Sequence, residues 1–429
     1  MTLTHDIPGI GGRLRDRPED FLVEEIPLYE PSGTGEHIYI FIEKRNLTTF
    51  EAIDAVARHF GVPRAAVGYA GLKDRVAITR QVLSVHVPGR KIEDFPLFSH
   101  ERIAILWADY HDNKLRRGHL RGNRFSIRVR GVPPMAVRDA KRTIDRLTTL
   151  GVPNRVGEQR FGSSGLNHLV ARAIVLGDDE GALALLLGPV PPGFPPMNPE
   201  AREAFARGDY AAAMNLYPRV CHAELRALKA LSRGASARSA LRAIDRREIS
   251  FFMSALQSNA FNRVLDRRIA EGSLGELRAG DIAMKHENRA MFAVDEATAS
   301  DPSTRQRLDA LEISPTGPMW GPSMMRAAGP ADQADIEALA QLSLTPEILA
   351  EFAASHPGLI EGERRALRVP LGSPELEGGV DDLGPFVRVA FDLPRGAFAT
   401  AVMREIMKAD VERDDPTGSD QVDPCSSSE

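Results

Sequence analysis

The residues best suited to chemistry in this chain of 429 residues lie in Gly68-Tyr69-Ala70-Gly71-Leu72-Lys73-Asp74-Arg75, a glycine-broken stretch that sets one carboxylate between two cations. An aspartate in a glycine-rich turn ordinarily bonds its own backbone. Flanked by Lys73 and Arg75, and facing them, it would instead stay ionised and nucleophilic. Asp74 is therefore the candidate reacting group. The spacing Gly-x-x-Gly-x-Lys-Asp lacks the Ser/Thr and the glycine spacing of a P-loop, which argues against a phosphate cradle. No Gly-x-Ser-x-Gly elbow or His-x-x-x-His pair stands in a useful context, so serine-hydrolase and metalloenzyme readings find no support.

A second constellation runs from His111 to Phe125 (HDNKLRRGHLRGNRF) and combines cations, an amide and an aromatic ring. Such a set grips phosphate while stacking and hydrogen-bonding an unstacked base. The plainer alternatives are that Phe125 is a core residue opening a strand and His119 a surface or capping histidine. A third, Asn154 to Gly165 (NRVGEQRFGSSG), is polar and glycine-broken and reads as a hinge or a contact loop.

The formal charge of -5 is unevenly placed. Residues 409 to 429 carry seven acids and one arginine, which leaves the rest of the chain near +1. Two stretches are strongly basic: 111 to 130, with seven Lys/Arg against one Asp, and 219 to 247, with eight against two acids. Local positive charge of this kind suits a phosphate backbone, although a solvated basic face accounts equally well for either stretch alone. Hydrophobic content of 43% and charged content of 26% are globular values, and no run of about 18 apolar residues is present to span a bilayer. Met1 to Gly12 lacks the basic-then-apolar pattern of a secretory signal, so the expected location is the cytoplasm. Cys221 and Cys425 stand far apart without metal-ligand spacing, so reduced thiols and no metal are expected.

The elements that must position these residues are legible in part. The short apolar core of Pro18 to Glu25 and the stretch His37 to Lys44 (HIYIFIEK) read as strands, and Thr48-Thr49 cap a helix whose Phe50, Ile53, Val56, Ala57 and Phe60 share one face before Gly61 ends it. Val67 to Ala70, Ile78 to Val87, Arg102 to Asp109 and Phe125 to Arg130 read as further strands, followed by a helix from about Pro134 to Leu150. Strands outnumber helices, and their connections are mostly too short for parallel crossovers, which predicts an α+β fold with a mixed, largely antiparallel sheet and flanking helices. After Pro153 the pattern turns Ala-, Leu- and Arg-rich and helical, including Arg247 to Ala270 and Gln333 to Ala354. Arg365 to Val369 and Phe386 to Phe391 read as strands again, and Phe398 to Met407 as a helix. The expected division is 1–151 and 358–410 for a catalytic domain, 152–357 for a large, mainly helical inserted domain, and 411–429 for a disordered acidic tail.

Several of these segments, taken together, resemble one family. The stretch Gly68 to Arg75 with Thr79-Arg80-Gln81, the stretch Lys114 to Phe125, and Val152-Pro153-Asn154 with Gly157 to Gly162 are similar to the TruD family of tRNA pseudouridine synthases. Pro18-Glu19-Asp20-Phe21, Gln257-Ser258 with Phe261-Asn262-Arg263, Pro315 to Pro318 with Trp320-Gly321, Gly362 to Arg365 and Gly396 to Thr400 follow in family order. The resemblance covers roughly residues 13 to 408.

The resemblance implies a pseudouridine-synthase fold carrying an inserted domain, with uridine in tRNA isomerised to pseudouridine at position 13, without cofactor or metal. It matches Asp74 to the catalytic aspartate. It places Asn123 and Phe125 at the active site, with Phe125 where other pseudouridine synthases carry tyrosine, and sets Phe398 beside them. Arg15 stands where the family usually has lysine, a change that keeps the charge but alters reach and geometry. Lys73 and Arg15 join the expected substrate-binding set. The expected partner is tRNA, with the basic stretch 219 to 247 as one wall of an RNA cleft, and the default assembly is a monomer. A non-catalytic tRNA-binding or RNA-folding protein is the alternative reading. The residues leave open whether Asp74 attacks C1′ of the sugar, attacks C6 of the uracil, or removes a sugar proton.

Overall fold

A computed structural model describes residues 1–409, so the acidic tail expected from 411 lies outside the described residues. The chain packs as two compact units: residues 153–369 together with Met1, and residues 2–152 with the described residues from Pro370 to 409.

The second of these is built on a mixed sheet. Its elements are β1 (Phe21–Pro27), β2 (His37–Arg45), α1 (Thr49–Phe60), β3 (Val67–Tyr69), β4 (Ile78–His86), β5 (Ile103–His111), β6 (Leu120–Arg130), α2 (Val137–Leu150), β7 (Gly372–Asp381), β8 (Gly384–Pro394) and α3 (Ala399–Met407). The eight strands run β7-β8-β6-β1-β4-β2-β5, with β3 beside β4. Only β1 and β4 run parallel, as the short connections anticipate. The edge strand β7 has no counterpart among the sequence expectations. Its Pro374, Gly378 and Gly379 weaken any strand pattern, and pairing along β8 is what holds it extended.

Residues opposite one another share a face of the sheet. On one face Ile38, Ile40 and Ile42 of β2 and Leu83 and Val85 of β4 pack against Ala52, Ile53, Val56 and Phe60 of α1. That helix is stopped at both ends: Thr48 and Glu51 form a reciprocal capping box, and Gly61 closes it in the left-handed conformation at φ 65°. The other face carries alternating charges, Asp392, Arg124, Glu24, Arg80 and Glu43, in register across β8, β6, β1, β4 and β2. Arg124 meets Asp392 at 2.9 Å, and Arg80 meets Glu24 and Glu43 at 2.9 and 2.8 Å.

Sheet and chain entry are fastened by Arg130. Its buried guanidinium grips Asp20 at 3.0 and 2.5 Å and reaches Asp381 on β7 at 2.5 Å. The Asp of Pro18-Glu19-Asp20-Phe21 is thus a buried structural partner of Arg130.

In the helical unit, Leu183, Leu187, Leu228, Phe252, Met253 and Leu256 anchor a core around the long helix Arg246–Ala270. A four-stranded sheet accompanies it, ordered Glu363–Ala366, Ile313–Met319, Ile282–Lys285, Met291–Ala293. The single helix expected over Gln333 to Ala354 is two, Gly329–Ala340 and Pro346–Ser355. The break is local chemistry: Ser343 sits at φ 58°, and Thr345 caps a new helix whose first residue is Pro346. Among the described residues no helix is long and apolar enough to cross a membrane.

Removing one partner of a buried ion pair strands the other charge, so Asp20→Ala should cost about 3–5 kcal/mol. The expected result is a urea midpoint lowered at constant slope; a loss below about 1 kcal/mol would mean that Asp381 holds Arg130 without Asp20.

Candidate active site

The site forms where the sheet parts. Leu22, Val23 and Glu24 of β1 pair with Ile78, Thr79 and Arg80 of β4, and pairing stops there. Farther along the same side of β4, Leu83, Ser84 and Val85 pair with β3 instead. Between the two partners, Val82 N–H donates to Glu25 Oε1 at 3.3 Å. From Glu25 onward β1 stays with β6 alone, which places Asn123 opposite Glu25.

Lys73 is seated in this opening. Its buried ammonium pairs with the buried Glu25 carboxylate at 2.8 Å and donates to Asn123 Oδ1 at 2.9 Å. Its backbone N–H donates to Thr49 Oγ1 at 2.9 Å, and that hydroxyl donates to Gln81 Oε1 at 3.2 Å. Lys73 therefore spends its charge on Glu25 and acts as the mount of the loop. The loop chain is held in turn by its neighbours. Gly118 N–H donates to Ala70 O at 2.8 Å, and Arg117 donates to the Tyr69 hydroxyl at 2.7 and 2.9 Å. A Cβ on Gly68 would stand 2.3 Å from the Leu115 carbonyl oxygen, so a glycine is required there for two backbones to touch.

Asp74, next in the chain, points its carboxylate out of this packing with 42% of the side chain exposed. Arg15 donates to Asp74 Oδ2 at 3.4 Å while its guanidinium lies over the Phe21 ring at 4.5 Å. The ring contact directs a long side chain that carries only 16% exposure toward one carboxylate. Arg15 itself sits in the left-handed region at φ 63°. Arg75, next along the loop, is exposed.

The sequence-selected residues thus fall into three groups. Arg15 meets Asp74, Lys73 meets Asn123, and the two aromatic residues differ in exposure. Phe125 is buried, opposite Val23 and Phe391 in the sheet, with its ring 5.6 Å from that of Phe391. Phe398 directly precedes α3 and is 40% exposed. Asn123 lies within β6, which begins at Leu120, five residues before the expected strand. Gly122 obscured that start, although glycine is what the Leu393 carbonyl requires, since a Cβ there would stand 2.2 Å from its oxygen.

Two residues escaped sequence reasoning. Glu25 looked like a strand-end acid. Lys44 looked like the polar end of β2, yet it is fully buried and donates to the carbonyl oxygens of Leu47 and, at 3.0 Å, Asp74. The signal was present: with period two, Lys44 continues the inward row Ile38, Ile40, Ile42. Among the described residues, no group of three or more His, Cys, Asp or Glu side chains is gathered as a metal site.

Comparison with known proteins agrees with this architecture. The family model described as tRNA pseudouridine synthase D (TruD) matches residues 1–406. The tRNA pseudouridine synthase D of Geobacter sulfurreducens is 43% identical over 407 residues, covering 95% of this chain and 96% of the relative. That of Anaeromyxobacter dehalogenans is 37% identical over 413 residues, covering 96% and 97%. The crystal structure of a Methanosarcina mazei protein assigned as tRNA pseudouridine synthase D superposes with a TM-score of 0.78 at 27% identity, covering 95% of this chain and 96% of that one. Fold and matches define an α+β protein of the pseudouridine-synthase class. The chain belongs to the TruD family.

The Glu25–Lys73 pair can be weighed directly. Glu25→Gln and Lys73→Met should each cost about 3 kcal/mol, and the double variant should cost at least about 1 kcal/mol less than their sum, because it leaves no stranded charge. Strict additivity in the double-mutant cycle would show that the pair does not act as a unit.

Proposed function

We propose that this chain isomerises uridine to pseudouridine in tRNA, at position 13, with Asp74 as the catalytic carboxylate acting on a flipped-out base. The observation that carries the reading is the setting of Asp74: an exposed carboxylate on a loop whose backbone is pinned by Lys73 and Lys44 and whose charge is met by Arg15. The relatives named above bear the name of this activity.

The reaction needs no external atoms beyond a proton exchange. The bond from N1 to C1′ breaks, the uracil turns, and C5 bonds to C1′; the C5 proton passes to solvent and N1 gains one. A pinned carboxylate serves each of the three routes open to it: attack at C1′, attack at C6, or removal of a sugar proton. Pinning matters because a misplacement of about 1 Å can cost on the order of a hundredfold in rate. Extruding the base costs on the order of a few kcal/mol. Stacking on an aromatic face returns about 1–3 kcal/mol; Phe398 is exposed enough to offer such a face, whereas Phe125 is buried within the sheet.

In this reading the sheet unit carries the chemistry and the helical unit is the insertion. The basic stretch 219 to 247 binds the RNA backbone; Arg226, Lys229, Arg233, Arg238 and Arg242 are exposed on or beside helices His222–Leu231 and Ala237–Arg242.

With tRNA tritiated at uridine C5, the wild-type protein should release tritium to water, and Asp74→Asn should lower the rate at least about a thousandfold, some 4 kcal/mol of barrier, at nearly unchanged affinity. Binding without release by the wild type would instead indicate a non-catalytic RNA-binding protein. Reversing Arg233 and Arg242 to Glu should weaken tRNA binding and shallow the salt slope by about 1 per lost phosphate contact. An unchanged slope would place those residues outside the interface.

A further inference from the structure

We infer that Lys44 is a positioning residue for Asp74: its buried ammonium ties the Asp74 main chain to the end of β2 and sets a positive charge against the carboxylate. This rests on the reading of Asp74 as the catalytic carboxylate.

Lys44 occupies a position that packing alone would give to an apolar side chain. It follows Ile38, Ile40 and Ile42 on the face covered by α1, and it is fully buried. Buried lysines are almost always paired with a carboxylate, because an uncompensated ammonium loses its hydration. Lys44 has no carboxylate within ion-pair distance among the described residues. Its contacts are two main-chain oxygens, of Leu47 just past the strand end and of Asp74. Neither carbonyl requires a charged donor, so these two hydrogen bonds by themselves give no reason for an ammonium at this position.

The charged groups around it are few. Burial is the largest influence and pushes the Lys44 ammonium down to about 8, with Asp74 and Glu51 favouring the charged form and Lys73 opposing it. Glu51 belongs to the α1 capping box, Lys73 is already held by Glu25, and Asp74 is the remaining opposite charge. As the pH rises through about 8 the loop keeps its hydrogen-bond donor but loses the charge facing the carboxylate.

The sign of the stability effect is opposite to that of the activity effect. A lysine whose folded value lies below its ordinary one binds fewer protons folded than unfolded between those two values, so its contribution to stability rises with pH across that window. An alkaline loss of activity therefore cannot come from this group unfolding the protein.

The test uses Lys44→Met, which keeps the length without charge or donor, and Lys44→Gln, which keeps a donor. Lys44→Met should melt at the wild-type temperature or above, since a stranded buried charge is replaced by an apolar chain. With saturating tRNA its kcat for tritium release should fall about 10- to 100-fold while KM stays within about twofold, and Lys44→Gln should lie between. Wild-type kcat should decline with a midpoint near 8, and that limb should be missing in Lys44→Met. A folded Lys44→Met with wild-type kcat, or a loss confined to KM, overturns the inference. If Lys44→Met fails to fold, a wild-type kcat that stays flat between pH 7 and 9.5 overturns it. The two readings fail separately: an active Asp74→Asn removes the catalytic assignment, whereas an inactive Asp74→Asn beside a fully active Lys44→Met removes only the role of Lys44.

Discussion

The site depends on one constraint: a charge taken out of water must be met by another. Where β1 and β4 part, two strands leave backbone and side chains without sheet partners. The opening is filled by the buried Lys73–Glu25 pair, with Asn123 and the Val82 N–H satisfying the remaining polar atoms. Such a pair contributes little to stability relative to apolar packing, but it is intolerant of change in either member. It defines where the next residue in the chain, Asp74, emerges. The position of the Asp74 carboxylate is thereby set by its buried neighbour in the chain.

The two faces of the same sheet handle charge differently. On the open face, Asp392, Arg124, Glu24, Arg80 and Glu43 alternate across five strands, half exposed, where water screens them and each pair is worth little. On the α1 face, Lys44, Glu25 and Lys73 are buried, and each contact there restricts geometry. Arg15 bridges the two regimes. Its guanidinium lies over the Phe21 ring and ends on the partly exposed carboxylate of Asp74, so this cation keeps its direction through an aromatic contact.

Much of the frame was legible because local chemistry decided it. The Thr48 cap and Gly61 stop of α1, the alternation of β2 and the short links that favour antiparallel strands all act within a few residues of themselves. Asp74 stood out from its flanking cations and glycines, and Phe398 from the family resemblance alone. What the sequence left unread had a non-local cause. Gly68 and Gly122 are glycines because Leu115 and Leu393, far along the chain, bring carbonyl oxygens against them, and β7 is a strand only because β8 pairs with it.

The sequence by itself determined which side chains were available for chemistry and which family they belong to, since residue type and spacing are properties of the chain. Only the tertiary structure decided which charge meets which. In the sequence, Lys73 and Arg75 flank Asp74 and are equally near to it along the chain. In the fold, Lys73 is claimed by Glu25 and Asn123, Arg15 arrives from 59 residues away, and Lys44 reaches the Asp74 backbone from the end of β2. Electrostatic partnership depends on distance and burial, and neither is set by neighbours along the chain.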